Sequence, residues 1–387
     1  MAKVFPFSTL WQQKKLKDLC LYSGEYGLNS PAIPLSASFP LYIRITDIDD
    51  NGEYLSNHRV SVNYSGKQKL LQKHDILFAR TGATVGKSYL HRNISCPTAF
   101  AGYLIRFIPN TTKIIPYFLF LYCHTSYYWN WIKIFKARSG QPGISANEYE
   151  KMLIPCPPIE EQQKIVEVLE TWDKAIQLTR KLIEQKELQK KYLMQQLLTG
   201  HTRLKGFVTP WKTERLGHFK SIIIEKGTAL SSQNIEKGPI PVIAGGQTVP
   251  YYHKYWTHDV PCITISASGA YAGFVWLHSG KIWASDCSVI YTRGYDLNFL
   301  YYCLKSQQNH LFYLQTGGAQ AHIYPSEIRS LKIPNISLQE QQAIVQILNI
   351  NFQEIDLLRQ KLAKLEEQKK GLMQVLLTGK MRLKVGK

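Results

Sequence analysis

The chain carries one long segment twice. Residues 154–205 align with 333–384 without a gap, at a constant offset of 179, and 25 of the 52 aligned positions are identical. A match of that length does not arise from composition, and an internal repeat limits the possible architectures more than any local propensity. Both copies open on Ile-Pro (Ile154-Pro155, Ile333-Pro334). They continue through Glu161-Gln162-Gln163 and Ile165-Val166, or Glu340-Gln341-Gln342 and Ile344-Val345. They close on Leu197-Leu198-Thr199-Gly200 and Leu376-Leu377-Thr378-Gly379.

Both copies read as helix. Ser337 followed by Glu340 forms a capping box, and Pro157-Pro158 suits the start of the first copy. Gly200 and Gly379 fall where a left-handed cap ends each helix. About 40 residues at 1.5 Å each give a rod of roughly 60 Å. In the second copy Leu348, Ile355, Leu362, Lys369 and Leu376 recur every seventh residue, as do Leu358, Leu365 and Leu372, which makes a heptad seam. The first copy has a weaker seam, with Thr179 and Lys186 at core positions. The helix-pairing positions are Ile176, Ile183, Lys190, Leu193 and Leu197, facing Ile355, Leu358, Leu362, Leu365, Lys369, Leu372 and Leu376. Lys190 and Lys369 hold the same place in the two copies and are suited to fixing register. The expected arrangement is an antiparallel two-helix coil; the alternative is two helices packing separately within globular domains.

The remaining segments repeat more loosely. Thr9-Leu-Trp11 leading to Leu16 matches Thr209-Pro-Trp211 leading to Leu216. Thr81-Gly82-Ala-Thr-Val-Gly86 matches Ser268-Gly269-Ala-Tyr-Ala-Gly273, and Gln141 to Ile144 matches Gln320 to Ile323. Short β-type runs such as Leu41–Ile45 and Pro261–Ile265, punctuated by Gly, Pro and Asn, mark strand-rich segments. The fold class is therefore α+β: residues 1–153 and 206–332 as variable strand-rich domains, and 154–205 and 333–387 as helical spacers in a pseudo-twofold tandem.

Charge narrows the partner. Lys and Arg outnumber Asp and Glu by 47 to 28, a net charge of +19, which points to a polyanion and most simply to nucleic acid. There is no lipidation motif and no secretory signal. The apolar run from Ile114 to Cys123 is too short to span a bilayer and contains Pro116. Seven scattered cysteines without a C-x-x-C pair fit free thiols in a reducing cytosol and argue against zinc.

Catalytic signatures are missing. Gly82 to Ser88 imitates a phosphate-binding loop but is one residue short, and its counterpart has Phe274 where the lysine belongs. A glycine turn between strands that brings Arg80 and Lys87 to a nucleic-acid backbone is the favoured reading. No G-x-S-x-G, H-E-x-x-H or metal-spaced carboxylate cluster occurs. Pro157-Pro158 lacks the flanking residues of an amino-methyltransferase motif.

The paired Ile-Pro…Glu-Gln-Gln-x-Ile-Val helices, their Leu-Leu-Thr-Gly ends and the Thr-Gly-Ala-x-x-Gly turn resemble the DNA-specificity subunits of type I restriction-modification systems, over essentially the whole chain. The resemblance implies a cytoplasmic, non-catalytic phage-defence protein without cofactor or metal. It implies two target-recognition domains, each reading half of a split double-stranded DNA site. The helices would space the domains and dock methyltransferase subunits, two in number, with restriction and translocase subunits joining through the complex. Two domains on one face of a duplex would read patches roughly 34–36 Å apart.

Within that frame Arg44, Arg80, Lys87, Arg138 and Lys254 are candidates for contacting phosphate or guanine. Gln141 and Gln320 suit adenine edges. Tyr42, Tyr251, Tyr252 and Tyr271 lie among strands and glycines where a reading surface would sit, although strand aromatics are commonly core. Thr81 and Ser268, opening the two glycine turns, complete the DNA-binding set. A rival reading is a coiled-coil scaffold that binds an acidic protein partner; another is an enzyme whose site leaves no recognisable motif.

Overall fold

The computed structural model describes residues 11–92, 94–136, 143–316 and 321–384. The chain divides into two compact units. One comprises Met1–Thr179 with Lys361–Lys387, and the other Arg180–Gln360.

Two long helices, Ile159–Leu198 and Leu338–Leu376, run through the repeated segments. Gly200 and Gly379 end them with φ of +74° and +71°, the left-handed geometry that glycine adopts without a Cβ penalty. At Gly200 a Cβ would also come within 2.8 Å of the Trp211 ring. Each helix is preceded by a strand of a two-stranded antiparallel ribbon. Leu153–Cys156 pairs with Gln12–Lys15, and Lys332–Asn335 pairs with Lys212–Arg215. The repeated Ile-Pro lies in these strands, where a two-stranded ribbon tolerates proline's missing N–H.

The first unit holds a four-stranded antiparallel sheet in the order Glu25–Tyr26, Leu104–Phe107, Ile76–Ala79, Ser88–Leu90. A second sheet runs Ile33–Pro34, Val60–Ser61, Leu41–Ile43, Thr98–Phe100, its last pair parallel. The second unit repeats the first sheet as Ile222–Lys226, Cys287–Thr292, Cys262–Ser266, Val275–His278. It reduces the second to Tyr252–His253, Ile240–Ile243 and Trp283–Ala284. The apolar run after Ile114 forms the short helix Pro116–Tyr122, buried on every side. No helix among the described residues is long and apolar enough to cross a membrane.

The helices pair antiparallel inside each unit, because low numbers on one meet high numbers on the other. In the first unit Lys369 Nζ meets the Asp173 carboxylate and Lys164 Nζ donates to the Lys384 carbonyl at 2.8 Å. In the second, Lys186 pairs with Glu354 at 2.7 Å and Arg359 with Glu187 at 2.6 Å. Ile176, Leu197, Ile355 and Leu376 are buried, and the other eight pairing positions are half-buried. Leu178 and Leu357, just off the seam, face solvent. Thr179 is buried in the weaker first-copy seam, its hydroxyl satisfied by the Ala175 carbonyl at 2.8 Å, a local bond open to Thr in helices.

The Glu-Gln-Gln motif closes each unit. Glu161 is buried and accepts from Trp11 Nε1 at 3.2 Å and side-on from Arg382 at 2.6 and 2.7 Å. Glu340 accepts from Trp211 Nε1 at 3.0 Å and from Arg203 at 2.9 and 3.2 Å. Because Glu340 is used in this way, only half of the expected capping box forms. The Glu340 amide donates to Ser337 Oγ at 3.3 Å, and the carboxylate turns to its Arg and Trp instead of back to Ser337. The neighbouring Gln162 and Gln341 take the amides of Ile115 and Asp296, at the heads of the helices Pro116–Tyr122 and Leu297–Ser306. One motif thereby ties helix, ribbon and sheet domain together.

Candidate nucleic-acid interface

Both glycine turns lie between antiparallel strands, as the sequence leads one to expect. Gly82 and Gly86 have φ of +69° and +92°, and Gly269 and Gly273 have +83° and +86°. Thr81 bridges to Gly143, and Ser268 to His322. Ser268 Oγ also donates to the Asp286 carboxylate. Lys87 does not point into a phosphate cradle. Its ammonium contacts Asp50 at 2.8 Å and donates to the Ile48 carbonyl at 3.2 Å, and it holds the Asp50 carboxyl below its usual range.

Arg44 and Arg80 are brought together. They line one cavity of about 770 Å³ with Tyr42, Asn29, Thr46 and Tyr103. Tyr42 is buried and anchors the wall by donating to the Leu28 carbonyl at 2.7 Å. Arg80 lies 4.8 Å over the Tyr26 ring and has no carboxylate partner among the described residues, whereas Arg44 is held by Asp47 at 2.8 Å. The cavity therefore presents cationic and hydrogen-bonding groups over an aromatic support, a composition suited to phosphate and base edges.

In the second unit Tyr251, Tyr252 and Lys254 lie on or beside the strand Tyr252–His253. The loop between Ile243 and Tyr252 approaches the other glycine turn, for a Cβ on Gly245 would fall 2.6 Å from the Ser268 carbonyl oxygen. Tyr252 and Tyr271 are exposed and Tyr251 is half-buried. Lys254 contacts Glu236 at 3.3 Å and the Tyr255 ring at 5.1 Å. Hydrogen bonding to the Tyr255 side chain and then to Glu236 pushes its pKa up. Arg138, Gln141 and Gln320 lie outside the described residues.

Sequence reasoning missed Tyr103, which is 60% exposed, and the exposed pair Tyr255-Trp256 with Lys281 3.4 Å above the Trp256 ring. The Lys-Tyr-Trp run at 254–256 is a basic–aromatic signal legible in the chain. Tyr103 gives no such signal, because its exposure depends on the strands around it. Among the described residues no group of His, Cys, Asp and Glu is arranged to hold a metal, and all seven cysteines are free.

Residues 9–188 and 209–367 match the model of the type I restriction modification DNA specificity domain. The chain belongs to this family: it is a DNA-recognition component of a type I restriction-modification complex, in which the catalytic activities lie on other subunits. It is 27% identical over 413 aligned positions to a protein of Methanocaldococcus jannaschii named as the MjaX type I restriction enzyme specificity subunit, covering 97% of this chain and 94% of the relative. The MjaVIII specificity subunit of the same organism is 25% identical over 372 positions, 86% of this chain and 85% of the relative. Among solved structures, the HsdS subunit from Thermoanaerobacter tengcongensis superposes with a TM-score of 0.53 at 19% identity, covering 98% of this chain and 99% of its own. The type I S subunit from M. genitalium does so with 0.61 at 15% identity, covering 97% and 98%. None of these comparisons supports the scaffold reading.

Proposed function

We propose that this chain reads a split sequence in double-stranded DNA. Residues 1–153 and 206–332 act as target-recognition domains, one per half-site, and residues 154–205 and 333–387 act as the spacer that carries two methyltransferase subunits. The protein works in the cytoplasm, where its DNA substrate lies and its thiols stay reduced. One observation carries this reading: each unit sets the same sheet on the same Glu–Arg–Trp clasp, yet the exposed chemistry above it differs. The first offers Arg44 and Arg80 in a cavity. The second offers tyrosines, Trp256 and paired lysines. Equal scaffolds with unlike surfaces suit two readers of unlike half-sites.

The net charge of +19 adds a sequence-independent component through counterion release. The test is to reconstitute the full chain with its methyltransferase subunits and map methylated adenines with and without the gene. A split motif with a fixed spacer, bound with an affinity that falls by orders of magnitude between low and moderately high salt, is the expected result. A contiguous motif, or binding indifferent to salt, refutes the reading.

A further inference from the structure

We propose that Asp47 is a positioning residue that holds Arg44 edge-on to a guanine in the half-site read by the first unit. The proposal rests on the DNA-reading function above and assigns specific roles within it.

Asp47 is buried, although its partner Arg44 lines an open cavity. One carboxylate oxygen accepts the Arg44 backbone amide and Nε, both at 2.9 Å, and the other accepts Nη2 at 2.8 Å. This side-on pairing occupies the Nε edge of the guanidinium. It leaves Nη1 without a hydrogen-bond partner among the described residues, beside the second hydrogen of Nη2. Those two groups form the end-on fork that matches O6 and N7 of guanine in the major groove. A free arginine would have to give up several rotatable bonds' worth of freedom to present that fork, whereas here the carboxylate has already fixed its plane.

Arg80, on the same cavity, is placed differently. It lies over Tyr26, with no carboxylate among the described residues to fix its plane. A guanidinium so placed neutralises phosphate without selecting a base.

Asp47 also caps the turn Ile45–Asp47 through the Arg44 amide, so a purely structural role must be separated from a positioning one. Asp47→Asn does this, because an amide oxygen still accepts the backbone N–H while the charged side-on pair is lost. The experiment uses the full chain assembled with its methyltransferase subunits, on duplexes in which each guanine of the site is replaced in turn by 7-deazaguanine, which lacks the N7 acceptor.

For the unmodified protein, one guanine should matter by roughly 10- to 100-fold in affinity, in the half that is retained when residues 206–332 are exchanged. Arg44→Ala and Asp47→Asn should bind the natural duplex correspondingly more weakly and be insensitive to deazaguanine at that position. Arg80→Ala should weaken all duplexes alike and lessen the salt dependence by about one phosphate contact. The assignment is overturned if Asp47→Asn keeps full sensitivity to deazaguanine, if it weakens every duplex equally, or if no guanine couples to Arg44. An unmodified complex that recognises no split site at all would instead refute the function on which the assignment rests.

Discussion

Lys369 and Asp173 form an ion pair across the helices of the first unit, while their repeat counterparts in the second, Lys190 and Phe352, meet as a cation over a ring at 3.9 Å. The lysine is the same in both copies and its partner is not. A half-buried ammonium accepts either a carboxylate or an aromatic face, so the partner could change while the lysine held its place. The Glu–Arg–Trp clasp has not diverged in this way, because a buried carboxylate needs a cation and donors around it.

The clasp supplies the first prediction. Arg382→Met leaves Glu161, which is 1% exposed, with Trp11 as its one side-chain partner among the described residues. Since Arg382 itself is 36% exposed, the loss should fall below that of a fully buried pair, roughly 1–3 kcal/mol. Urea unfolding followed by tryptophan fluorescence should show it. Adding Glu161→Gln to Arg382→Met should recover part of the loss, because the orphaned charge is removed. Additive losses would mean that the pair is not coupled.

The seam is tested by Asp at Leu358 and Leu365 together. Both positions are half-buried, and an unpaired carboxylate there costs roughly 2–4 kcal/mol per site. Binding of methyltransferase subunits, followed by gel filtration, should fail while circular dichroism shows the sheets intact. A double variant that assembles and supports methylation normally would show that these leucines do not form the pairing surface.

Acid should weaken the second unit through His278. Burial lowers its pKa from 6.5 to about 4, and Thr264 Oγ1 lies 2.8 Å from Nε2. The folded ring takes its proton near pH 4, whereas the unfolded one does so near pH 6.5. The unfolded state therefore binds more protons in that interval, and stability falls as pH drops through it. His278→Gln should flatten this part of the pH profile by at most about 3 kcal/mol. Parallel profiles for the two proteins between pH 6.5 and 4 would exclude His278 as the cause.

Periodicity and self-similarity made the helices, their caps and the two glycine turns legible, since each depends on residues close in sequence. Glu161 and Glu340 stood out as repeated, as did Trp11 with Trp211 and Arg203 with Arg382, but their pairing with one another did not. Arg382 and Trp11 reach Glu161 from distant parts of the chain, and no local pattern records that. Of the second sheets only the run at Leu41–Ile43 was legible, because strands such as Ile33–Pro34 and Tyr252–His253 are two residues long, too short for alternation to register. The Arg44–Arg80 cavity is likewise a product of tertiary packing: Arg44 follows Leu41–Ile43, Arg80 follows Ile76–Ala79, and these strands belong to different sheets whose side chains share one core cluster. The antiparallel pairing also explains why the first compact unit draws on two discontinuous segments, Met1–Thr179 and Lys361–Lys387. Each unit takes the beginning of one long helix and the end of the other.

Modularity gives the last prediction. Residues 206–332 lie between the two long helices and carry their own sheets, and the clasp of that unit is made by Trp211 with Arg203 and Glu340 just outside the segment. Exchanging 206–332 for the corresponding segment of a relative that keeps this tryptophan should preserve the clasp and change one half of the recognised sequence. The other half and the spacer should stay the same. The complementary experiment adds residues to the helices instead. Seven residues inserted after Thr179 and seven after Gln360 fall at the boundaries of the compact units. A whole heptad keeps the seam in phase, and seven residues add about 10 Å of helix, close to three base pairs at 3.4 Å each. Both half-sites should then survive, with a spacer about three base pairs longer. Sequencing the methylated sites of the two variants decides the matter: a domain exchange that rewrote both halves, or a heptad insertion that changed the letters while leaving the spacer alone, would show that reading and spacing are not separable in this chain.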